Sequence, residues 1–577
     1  MIKIHRLVFG RFLKLLLPYR KKWLAILVLS VLGSLLSLVI PYLTIGVIDT
    51  SIGKKDFGSF LIYAAIGGII FVIGESLNRA RYWLEQIIKI KVSFDLHRKV
   101  FDHLQRLSYG WFQDKSTGEH IFKINYDIDT VADFITEALP QILFLVPRAI
   151  FIVAIVFYLN WKMALCALVL APFLFLPGYF YSRIMEKLGE KLVQSSENVL
   201  SYLQELFSHI QLVKVWGAEK KSNRSFLHKL IANIRISASY LKPEIANGIA
   251  VQIITKLIIG LITLFGGYLV INGNLTLGAL TAIMVYLTQL VGFQSQFAQF
   301  WQTNIAGTLS SGRLTRILDT QPQIQDGADA INLVFKKGDI EFKKVSFGYR
   351  PGEDVIKNLN FSIKGGEYWA LVGPSGSGKS TILNLLVRLY DLREGAISID
   401  SFDIRSITLL SLKNQIGVAL QEHFLWNDTI FNNITYCCSG ARLEDVEEIS
   451  CIAGVDDFVK DLPLSYRTII GENGSKLSEG QKQKIAIARA LFKRPKILIL
   501  DEAMSAMDSK SEEKITFNIK ERYKAMTVII VSHRFSTIKG CDRALYLSAK
   551  DMIIEDSIEG LVKNNLDFRM LFSGQIG

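Results

Sequence analysis

The sequence predicts an all-α membrane bundle of six long transmembrane helices followed by a soluble α/β domain. Half of the 577 residues are hydrophobic and the mean hydropathy is +0.29, which is too apolar for an ordinary soluble protein. The long apolar runs all lie before about residue 305. From "DIEFKKVSFGY" at residue 339 onward, strand-like and helix-like patterns alternate, which is typical of an α/β domain.

Six segments have the roughly 20 apolar residues that a helix needs to cross a bilayer. Short connections join the first segment to the second, the third to the fourth, and the fifth to the sixth. About 60 residues separate the second from the third and the fourth from the fifth, and these connections are polar and helix-prone. We therefore expect membrane helices that continue into the cytoplasm, turn and return. The predicted spans lie near residues 23–48, 59–78, 139–160, 163–183, 246–271 and 276–298.

The charge pattern predicts the orientation of the chain. The net charge is +13, and basic groups flank apolar spans, as in "PYRKKW", which is typical of cytoplasmic flanks rather than of nucleic-acid binding. The basic start therefore lies inside, and an even number of spans returns the soluble half to the cytoplasm. We expect a multi-pass protein of the cell (inner) membrane, with its N-terminus and α/β domain cytoplasmic and no nucleic-acid partner.

The N-terminal segment and the cysteines complete this prediction. "RLVFGRFLKLLLPYR" is basic and amphipathic and has no cleavage site after it, so we expect it to lie along the inner membrane surface. The five cysteines show no metal-ligand spacing, which favours a reducing compartment without disulfides.

The first motif with a chemical function in the α/β domain is a phosphate-binding loop. "GPSGSGKST" fits the pattern G-x-x-x-x-G-K-[ST] and stands between the apolar strand "YWALV" and a helical pattern, as that motif requires. Its backbone N–H groups can wrap the phosphates of a nucleotide, its lysine supplies positive charge, and the Ser380 hydroxyl can ligate Mg²⁺. The candidate residues are Gly373, Ser375, Gly376, Ser377, Gly378, Lys379, Ser380 and Thr381.

Three further polar positions follow apolar strands of the same domain. Asp501 and Glu502 end the run "ILIL", where Asp501 would hold Mg²⁺ and Glu502 would polarise an attacking water. His533 after "VIIVS" and Gln421 after "GVAL" would face the same crevice, because the carboxyl ends of parallel strands share one edge of a sheet. Tyr349, in "SFGYR", could stack on a base.

These motifs together resemble the ATPase domain of ABC transporters. The set Gly373–Thr381, Gln421, Leu477–Gln481, Ile497–Glu502 and His533 has the order and approximate spacing of that domain, and six preceding spans with long cytoplasmic extensions look like an exporter membrane domain. The resemblance covers essentially the whole chain. It implies a P-loop ATPase, the ABC nucleotide-binding domain, that uses ATP and Mg²⁺.

The resemblance also implies a role for each matching position. Tyr349 corresponds to the adenine-stacking aromatic residue, Glu502 to the catalytic glutamate and His533 to the switch histidine. Gln421 corresponds to the glutamine that senses Mg²⁺ and the membrane domain, and Asp508 to the aspartate that communicates across a dimer. On this basis the predicted catalytic residues are Glu502, His533 and Gln421, and the predicted metal ligands are Ser380, Gln421 and Asp501.

The segment "LSEGQ" resembles the signature motif, which in this family closes over the ATP held by a partner chain. Ser478, Gly480 and Gln481 would contact that γ-phosphate at a helix N-terminus. A chain with six spans is then half a transporter, and its intact motifs favour a homodimer over a heterodimer. Glu479 departs from the usual glycine, and its effect depends on which way its carboxylate points. Three further departures, which remove no catalytic group, are Lys484, Met504 and Met507.

Segments outside the ATP motifs resemble the elements that couple an exporter's two domains. "YGWFQDKSTGEHIFKINYDIDTV" from Tyr109 and "VKVWGAEKKSNRSF" from Val213 occupy the two docking positions, and "TIIGENG" resembles an exporter-specific element. Within the spans, Glu75, Arg148 and Lys256 are ionisable, which is costly in a bilayer. Glu75 and Lys256 fall at similar depth in the inner half of the bilayer and could pair with each other. The ionisable residues could otherwise line a water-filled cavity or contact substrate.

The sequence thus predicts a half-transporter that uses ATP for export or flipping by alternating access. Its cargo could be a lipid, a peptide or a drug, and an ATP-gated channel and a soluble-type ATPase are the alternatives from other classes. Its partners would be a second copy of the chain, membrane lipids and an unidentified substrate. The predicted domains are an amphipathic segment at 1–22, a membrane domain at 23–305, a connector at 306–337 and a nucleotide-binding domain at 338–577.

Overall fold

The computed structural model describes residues 12, 14–113, 117–350, 352–438, 440–548 and 553–575. The chain divides into two compact units. The membrane unit contains residues 1–106 and 114–321, and the α/β unit contains residues 107–113 and 322–577. Most of the predicted amphipathic segment, residues 1–11 and 13, lies outside the described residues.

The membrane unit is built from long helices. Among the described residues, six stretches are long and apolar enough to cross a membrane. Two π-helical turns, Gly46–Ile52 and Phe134–Ala138, continue these helices. The principal helices are α1 (Arg20–Ile45), α2 (Phe57–Arg106), α4 (Thr117–Asp133), α5 (Leu139–Leu159), α6 (Trp161–Leu170), α7 (Leu176–Ser208), α8 (Ile210–Val215), α9 (Glu219–Ile271) and α10 (Leu277–Asp319).

Helix lengths and caps show how the sequence builds this unit. α2 and α9 have 50 and 53 residues, about twice the length of a span, so the long polar connections are helical extensions of the spans. The Asn160 side chain caps α6 by accepting from two backbone N–H groups, and the Thr276 hydroxyl caps α10 by accepting from one, that of Ala279. Large apolar side chains such as Phe71 and Leu264 lie on the outside, where a bilayer would cover them.

Two long-range contacts hold the membrane helices together. The buried Tyr286 of α10 donates its hydroxyl to the backbone carbonyl of Leu38 in α1. On the α4 and α10 extensions, the buried carboxylate of Asp127 accepts from the guanidinium of Arg313, whose Nε lies 2.8 Å from Asp127 Oδ2. The first contact lies in a span and the second in the helical extensions.

The α/β unit contains a six-stranded sheet and a four-stranded sheet. The larger sheet has the order β10-β9-β3-β8-β7-β6 and is parallel except for β10, whereas the smaller sheet is antiparallel with the order β2-β1-β4-β5. The strands are β1 (Ile340–Phe347), β2 (Ile356–Ile363), β3 (Tyr368–Val372), β4 (Glu394–Ile399), β5 (Phe402–Asp403), β6 (Ile416–Ala419), β7 (Ile497–Asp501), β8 (Thr527–Val531), β9 (Arg543–Leu547) and β10 (Ile553–Asp556).

Helices pack on these sheets, and apolar side chains fill both interfaces. The short helix α3 (Tyr109–Gln113) belongs to this unit although its neighbours in the chain belong to the membrane unit. The remaining helices are α11 (Lys379–Leu386), α12 (Leu409–Asn414), α13 (Ile430–Thr435), α14 (Leu443–Ala453), α15 (Asp456–Val459), α16 (Glu479–Phe492), α17 (Ser509–Arg522), α18 (Phe535–Ile538), α19 (Ile558–Asn564) and α20 (Leu566–Leu571).

Candidate functional site

The phosphate loop joins the buried strand β3 to α11. Gly378 precedes the helix with φ +93°, a backbone conformation that favours glycine. A Cβ on Gly373 would lie 2.6 Å from the carbonyl oxygen of Leu547, so only glycine fits there. Lys379 Nζ donates to the carbonyls of Gly373 at 2.7 Å and Pro374 at 2.9 Å. The loop is therefore folded around a cation whose hydrogen bonds go to neutral oxygens.

Two observations show that the loop fits a phosphate chain. The Ser377 hydroxyl is buried and has no hydrogen-bond partner among the described residues. Burial lowers the pKa of Lys379, although Glu502 and Asp501 oppose that effect. A bound polyphosphate would give the hydroxyl an acceptor and the ammonium group a strong counter-charge.

The predicted catalytic residues meet at the carboxyl edge of the parallel strands. Gln421 Nε2 donates to Glu502 Oε2 at 2.9 Å, and His533 Nε2 lies 3.1 Å from Glu502 Oε1. Glu502 has φ +50°, a conformation that is unusual for a residue with a side chain. The strained turn after β7 thus presents the carboxylate between two side chains from other strand ends.

Asp501 lies beside Glu502, and the negative charge of its carboxylate is poorly compensated. Burial and the neighbouring Glu502 raise the pKa of its carboxyl group, and Lys379 opposes them. Asp501, Ser380 and the amide oxygen of Gln421 are oxygen donors, the type of ligand that Mg²⁺ prefers. The residues present therefore fit a magnesium ion, which would also relieve the repulsion between the two carboxylates.

Tyr349 follows β1 and exposes 47% of its surface. Its hydroxyl lies 3.1 Å from Thr381 Oγ1 of α11, and its ring meets the rings of Phe347 and Tyr390 edge-on. The ring is therefore held beside the phosphate loop with part of its surface accessible, as a base-stacking residue requires.

The signature segment lies at the N-terminus of the 14-residue helix α16. Ser478 and Gln481 form a capping box in which each side chain bonds to the other residue's backbone N–H. Glu479 Oε1 pairs with Lys482 Nζ at 2.7 Å, and Gly480 follows it in the first turn. Among the described residues, no hydrogen bond joins this segment to the phosphate loop of the same chain, so the structure keeps the two predicted anion sites separate.

Asp508 caps α17 by accepting from the backbone N–H of Ser511 at 3.0 Å. The hydrogen bonds from Ser511 lower the pKa of this carboxyl group. The side chain of Asp508, the residue predicted to communicate across a dimer, is thus held by a hydrogen bond to its own helix. It stands at the end of the turn that begins with Glu502.

Sequence reasoning missed two residues that brace this turn. Gln483 of α16 accepts from the backbone N–H of Ala506 at 3.0 Å. Arg534, next to His533, donates to the carbonyls of Met507, at 2.8 Å, and Ser505. Gln483 is nearly fully buried. The only sign of this in the sequence is a polar residue within the apolar pattern of the helix.

The ionisable residues of the spans do not form one cluster. Glu75 pairs with Arg79 on its own helix at 3.0 Å, so the possible pairing of Glu75 with Lys256 is not what the structure shows. Arg148 of α5 contacts α10, where its Nη2 donates to Gln289 Oε1 at 3.3 Å and its guanidinium lies 5.4 Å from the Phe293 ring centroid.

Comparison with known protein families matches both halves of the chain. Residues 23–293 match the ABC transporter transmembrane region, and residues 356–505 match the ABC transporter family model. A solved structure of a bacterial Atm1-family ABC exporter with ATP bound superposes with a TM-score of 0.87 at 27% identity, covering 97% of this chain and 98% of that one.

Two relatives align over nearly their whole length. An ATP-dependent lipid A-core flippase of Desulfotalea psychrophila is 32% identical over 92% of this chain and 93% of its own. A Staphylococcus aureus (strain NCTC 8325) protein named for multidrug export, an ATP-binding/permease protein, is 31% identical over 98% and 99%. The chain therefore belongs to the ABC transporters of the exporter type, and it is a half-transporter that binds ATP and couples ATP hydrolysis to export.

Proposed function

We propose that this exporter hydrolyses ATP at the carboxyl edge of the six-stranded sheet and moves an anionic amphiphile across the membrane. The catalytic part of the proposal rests on the contacts of Glu502 with Gln421 and His533. Glu502 would polarise the attacking water, and His533 and Gln421 would hold that carboxylate in place. The nucleotide-binding residues would be Tyr349, Gly373, Ser375, Gly376, Ser377, Gly378, Lys379, Ser380 and Thr381.

Ser380, Gln421 and Asp501 would hold Mg²⁺. When bound, the ion would neutralise the charge of the β- and γ-phosphate oxygens. Asp501 has to be ionised to serve as a ligand, and its raised pKa means that protons compete with the metal more strongly than at an ordinary aspartate.

The working assembly would be a homodimer. In one chain, the capped N-terminus of α16 at Ser478, Gly480 and Gln481 lacks a hydrogen bond to the phosphate loop among the described residues, so it is suited to close over ATP held by a second copy. Asp508 would meet the partner near the same interface. The motif residues at every ATP-site position are intact, which supports two equivalent sites.

The chain would lie in the cell (inner) membrane with its N-terminus and α/β unit in the cytoplasm. Basic residues at the start of α1, Arg20, Lys21 and Lys22, support this orientation through the positive-inside rule. An even number of spans then returns the α/β unit to the side where ATP is available.

Arg148 carries the proposal of an anionic substrate. It lies 11 residues before the outer end of α5, which is about 16 Å and close to the middle of a roughly 30 Å hydrocarbon core. Among the described residues no carboxylate pairs with it, and its buried Nε has no hydrogen-bond partner. A cation kept at this depth is costly, so it indicates a function, and an anionic group on the substrate would compensate it.

Apolar side chains line the spans beyond Arg148, which suits a substrate with an apolar part. Further out along α5, a cavity of about 70 Å³ is lined by apolar side chains of four spans, including Val153 and Val156 of α5 and Leu290 of α10. One relative is named as a flippase of lipid A-core, which supports a lipid as the substrate. A cationic drug would leave the guanidinium uncompensated.

The test measures ATP hydrolysis in nanodiscs of neutral lipid. Lipid A, phosphatidylglycerol and the cationic dye rhodamine 6G are added separately to the wild type and to Arg148→Gln. We expect the anionic amphiphiles to stimulate the wild type severalfold and Arg148→Gln less than half as much, with Arg148→Lys in between. Arg79→Gln is the matched control. Equal stimulation by the cationic dye, or unchanged stimulation of Arg148→Gln, would refute the anionic class.

A further inference from the structure

A row of aromatic side chains in the α/β unit connects the base site to α3. The ring centroids of Tyr349 and Tyr390 are 5.1 Å apart with an interplanar angle of 86°. Those of Tyr390 and Tyr109 are 6.1 Å apart at 76°. Both are edge-to-face arrangements, the preferred geometry of aromatic pairs. Tyr390 therefore touches the proposed base platform with one edge and α3 with another.

Tyr390 has two further contacts with α3. Its hydroxyl donates to Gln113 Oε1 at 2.6 Å. A Cβ placed on Gly110 would lie 3.2 Å from Tyr390 Cε1, so the ring packs closely on the helix backbone at that glycine. A small movement of the Tyr390 ring must therefore displace either the hydrogen bond or the helix.

Hydrogen bonds hold the segments around Tyr349 and Tyr390 in place. Tyr390 follows Arg388, which has φ +52° and is 5% exposed, and whose guanidinium donates to Asp391 Oδ1 at 3.0 Å and to the Gln325 carbonyl at 3.2 Å. The Tyr349 hydroxyl is tied to Thr381 of α11. Close-packed, fixed groups transmit small displacements instead of absorbing them.

We propose that Tyr390 is a positioning residue that carries occupancy of the base site on Tyr349 to α3. The inference rests on the proposed role of Tyr349 as the base-stacking residue. The base would contact Tyr349 directly, whereas the phosphates reach this row only through the hydrogen bond between Thr381 and the Tyr349 hydroxyl. We therefore expect α3 to respond more strongly to a complete nucleotide than to phosphates alone. Because α3 continues directly into α2 through the chain at residues 106 and 107, its response enters the membrane unit through the backbone itself.

The experiment separates the base from the phosphates. Hydrogen exchange of the full-length protein in nanodiscs, in a Glu502→Gln background that prevents turnover, is measured with ATP and with inorganic tripolyphosphate. Both should slow exchange in the loop at residues 373–381. We expect ATP to change exchange at residues 107–113 by at least threefold more than tripolyphosphate does.

Substitutions at the two ends of the hydrogen bond sharpen the test. Tyr390→Phe keeps the ring and loses the bond to Gln113, so it should reduce the ATP-specific change at least by half, and Tyr390→Leu should abolish it. Gln113→Leu should match Tyr390→Phe, whereas Gln113→Glu keeps an acceptor and should retain the change. Phe517→Leu, an exposed aromatic residue outside the row, should have no effect.

Two results would overturn the proposal. One is an equal response of residues 107–113 to tripolyphosphate and ATP, and the other is a full ATP response in Tyr390→Leu. The role of Tyr349 is judged separately, because Tyr349→Ala should bind ATP no more tightly than tripolyphosphate. A failed relay with an intact Tyr349 preference for ATP would leave the proposed function standing.

Discussion

Two carboxylates, one in each unit of this exporter, are compensated in different ways. In the α/β unit, the Asp400 carboxylate accepts four backbone N–H groups, those of residues 336 to 339, at 2.6 to 3.1 Å. In the membrane unit, Asp127 is compensated by a side chain 186 positions away, Arg313. Backbone N–H groups in loops are available to bind a carboxylate, whereas those inside a helix already donate to carbonyl groups of the same helix. A buried charge on a long helix is therefore compensated by a side chain, either of its own helix, as Arg81 does for Glu85, or of another helix, or else by a ligand.

The proposed catalytic edge of the α/β unit is the extreme case, because the repulsion between Asp501 and Glu502 there is left for a ligand to relieve. Glu502→Gln should lower steady ATP hydrolysis by at least about 100-fold, since a general base of this kind contributes about 10²–10⁴-fold. ATP binding, followed with a fluorescent analogue, should persist because the loop is unchanged. Glu521→Gln, on an exposed helix face, is the control. Near-normal hydrolysis in Glu502→Gln would remove the residue from the mechanism.

The Asp127–Arg313 pair tests the rule for helices. Arg313→Ala leaves a carboxylate that is 3% exposed without its cation, whereas the guanidinium itself is 42% exposed, which moderates the effect. We expect a loss of about 2–3 kcal/mol in stability, below the full penalty for a fully buried pair. Thermal unfolding in detergent would show a fall of several degrees.

The exposed pair Arg98–Asp102, on the helical extension of α2, provides the comparison for that measurement. Arg98→Ala should cost under about 1 kcal/mol, as is usual for a surface ion pair. Adding Asp127→Asn to Arg313→Ala should recover part of the loss, because the unpaired charge is removed. Equal melting temperatures for Arg313→Ala and Arg98→Ala would contradict the rule.

The same contrast explains which features the sequence predicts. The groups proposed to bind a ligand, such as Lys379, Asp501 and His533, lie in short local patterns, because a strand, a turn and a helix N-terminus are contiguous in the sequence. The fold class and the six spans are also local, since they follow from runs of apolar residues. The roles assigned to the site residues stay predictions that the proposed experiments test.

Long-range pairs are invisible to this reasoning. Nothing near Asp127 in the sequence indicates that Arg313 is its partner, and nothing near Tyr109 indicates Tyr390. The expectation of a Glu75–Lys256 pair rested on the similar depth of the two residues alone. The structure instead pairs Glu75 with Arg79, because residues four apart on one helix are already neighbours.

Asp400 tests the rule for loops. Burial raises the pKa of this carboxyl group, but the four backbone N–H bonds outweigh burial and hold its pKa below the ordinary 3.8. Asp400→Ala should cost about 1–2 kcal/mol, because several donors lose their acceptor and solvent replaces it only in part. Asp354→Ala, which removes a side-chain pair with Arg393, should cost less.

The pH dependence of Asp400 follows from the sign of its shift. Since the folded pKa lies below the unfolded one, the contribution is complete above about pH 4 and is lost as the pH falls through the folded value. The stability difference between wild type and Asp400→Ala should thus be constant near neutrality and shrink below pH 4. A difference that grows on acidification would contradict this origin.

Glu479 should give the smallest effect, although it is a carboxylate in a segment proposed to meet phosphate. Its side chain is 64% exposed and pairs along its own helix with Lys482 at 2.7 Å, and exposed pairs of this kind contribute about 0–1 kcal/mol. Glu479→Gly should therefore change ATP turnover and apparent ATP affinity by less than about threefold. Ser478→Ala, which removes the helix cap at the neighbouring position, should have a larger effect of about 1 kcal/mol on stability. If Glu479→Gly and Glu479→Gln both raise turnover severalfold, the carboxylate faces the partner's phosphate in the dimer, and the charge then restrains closure.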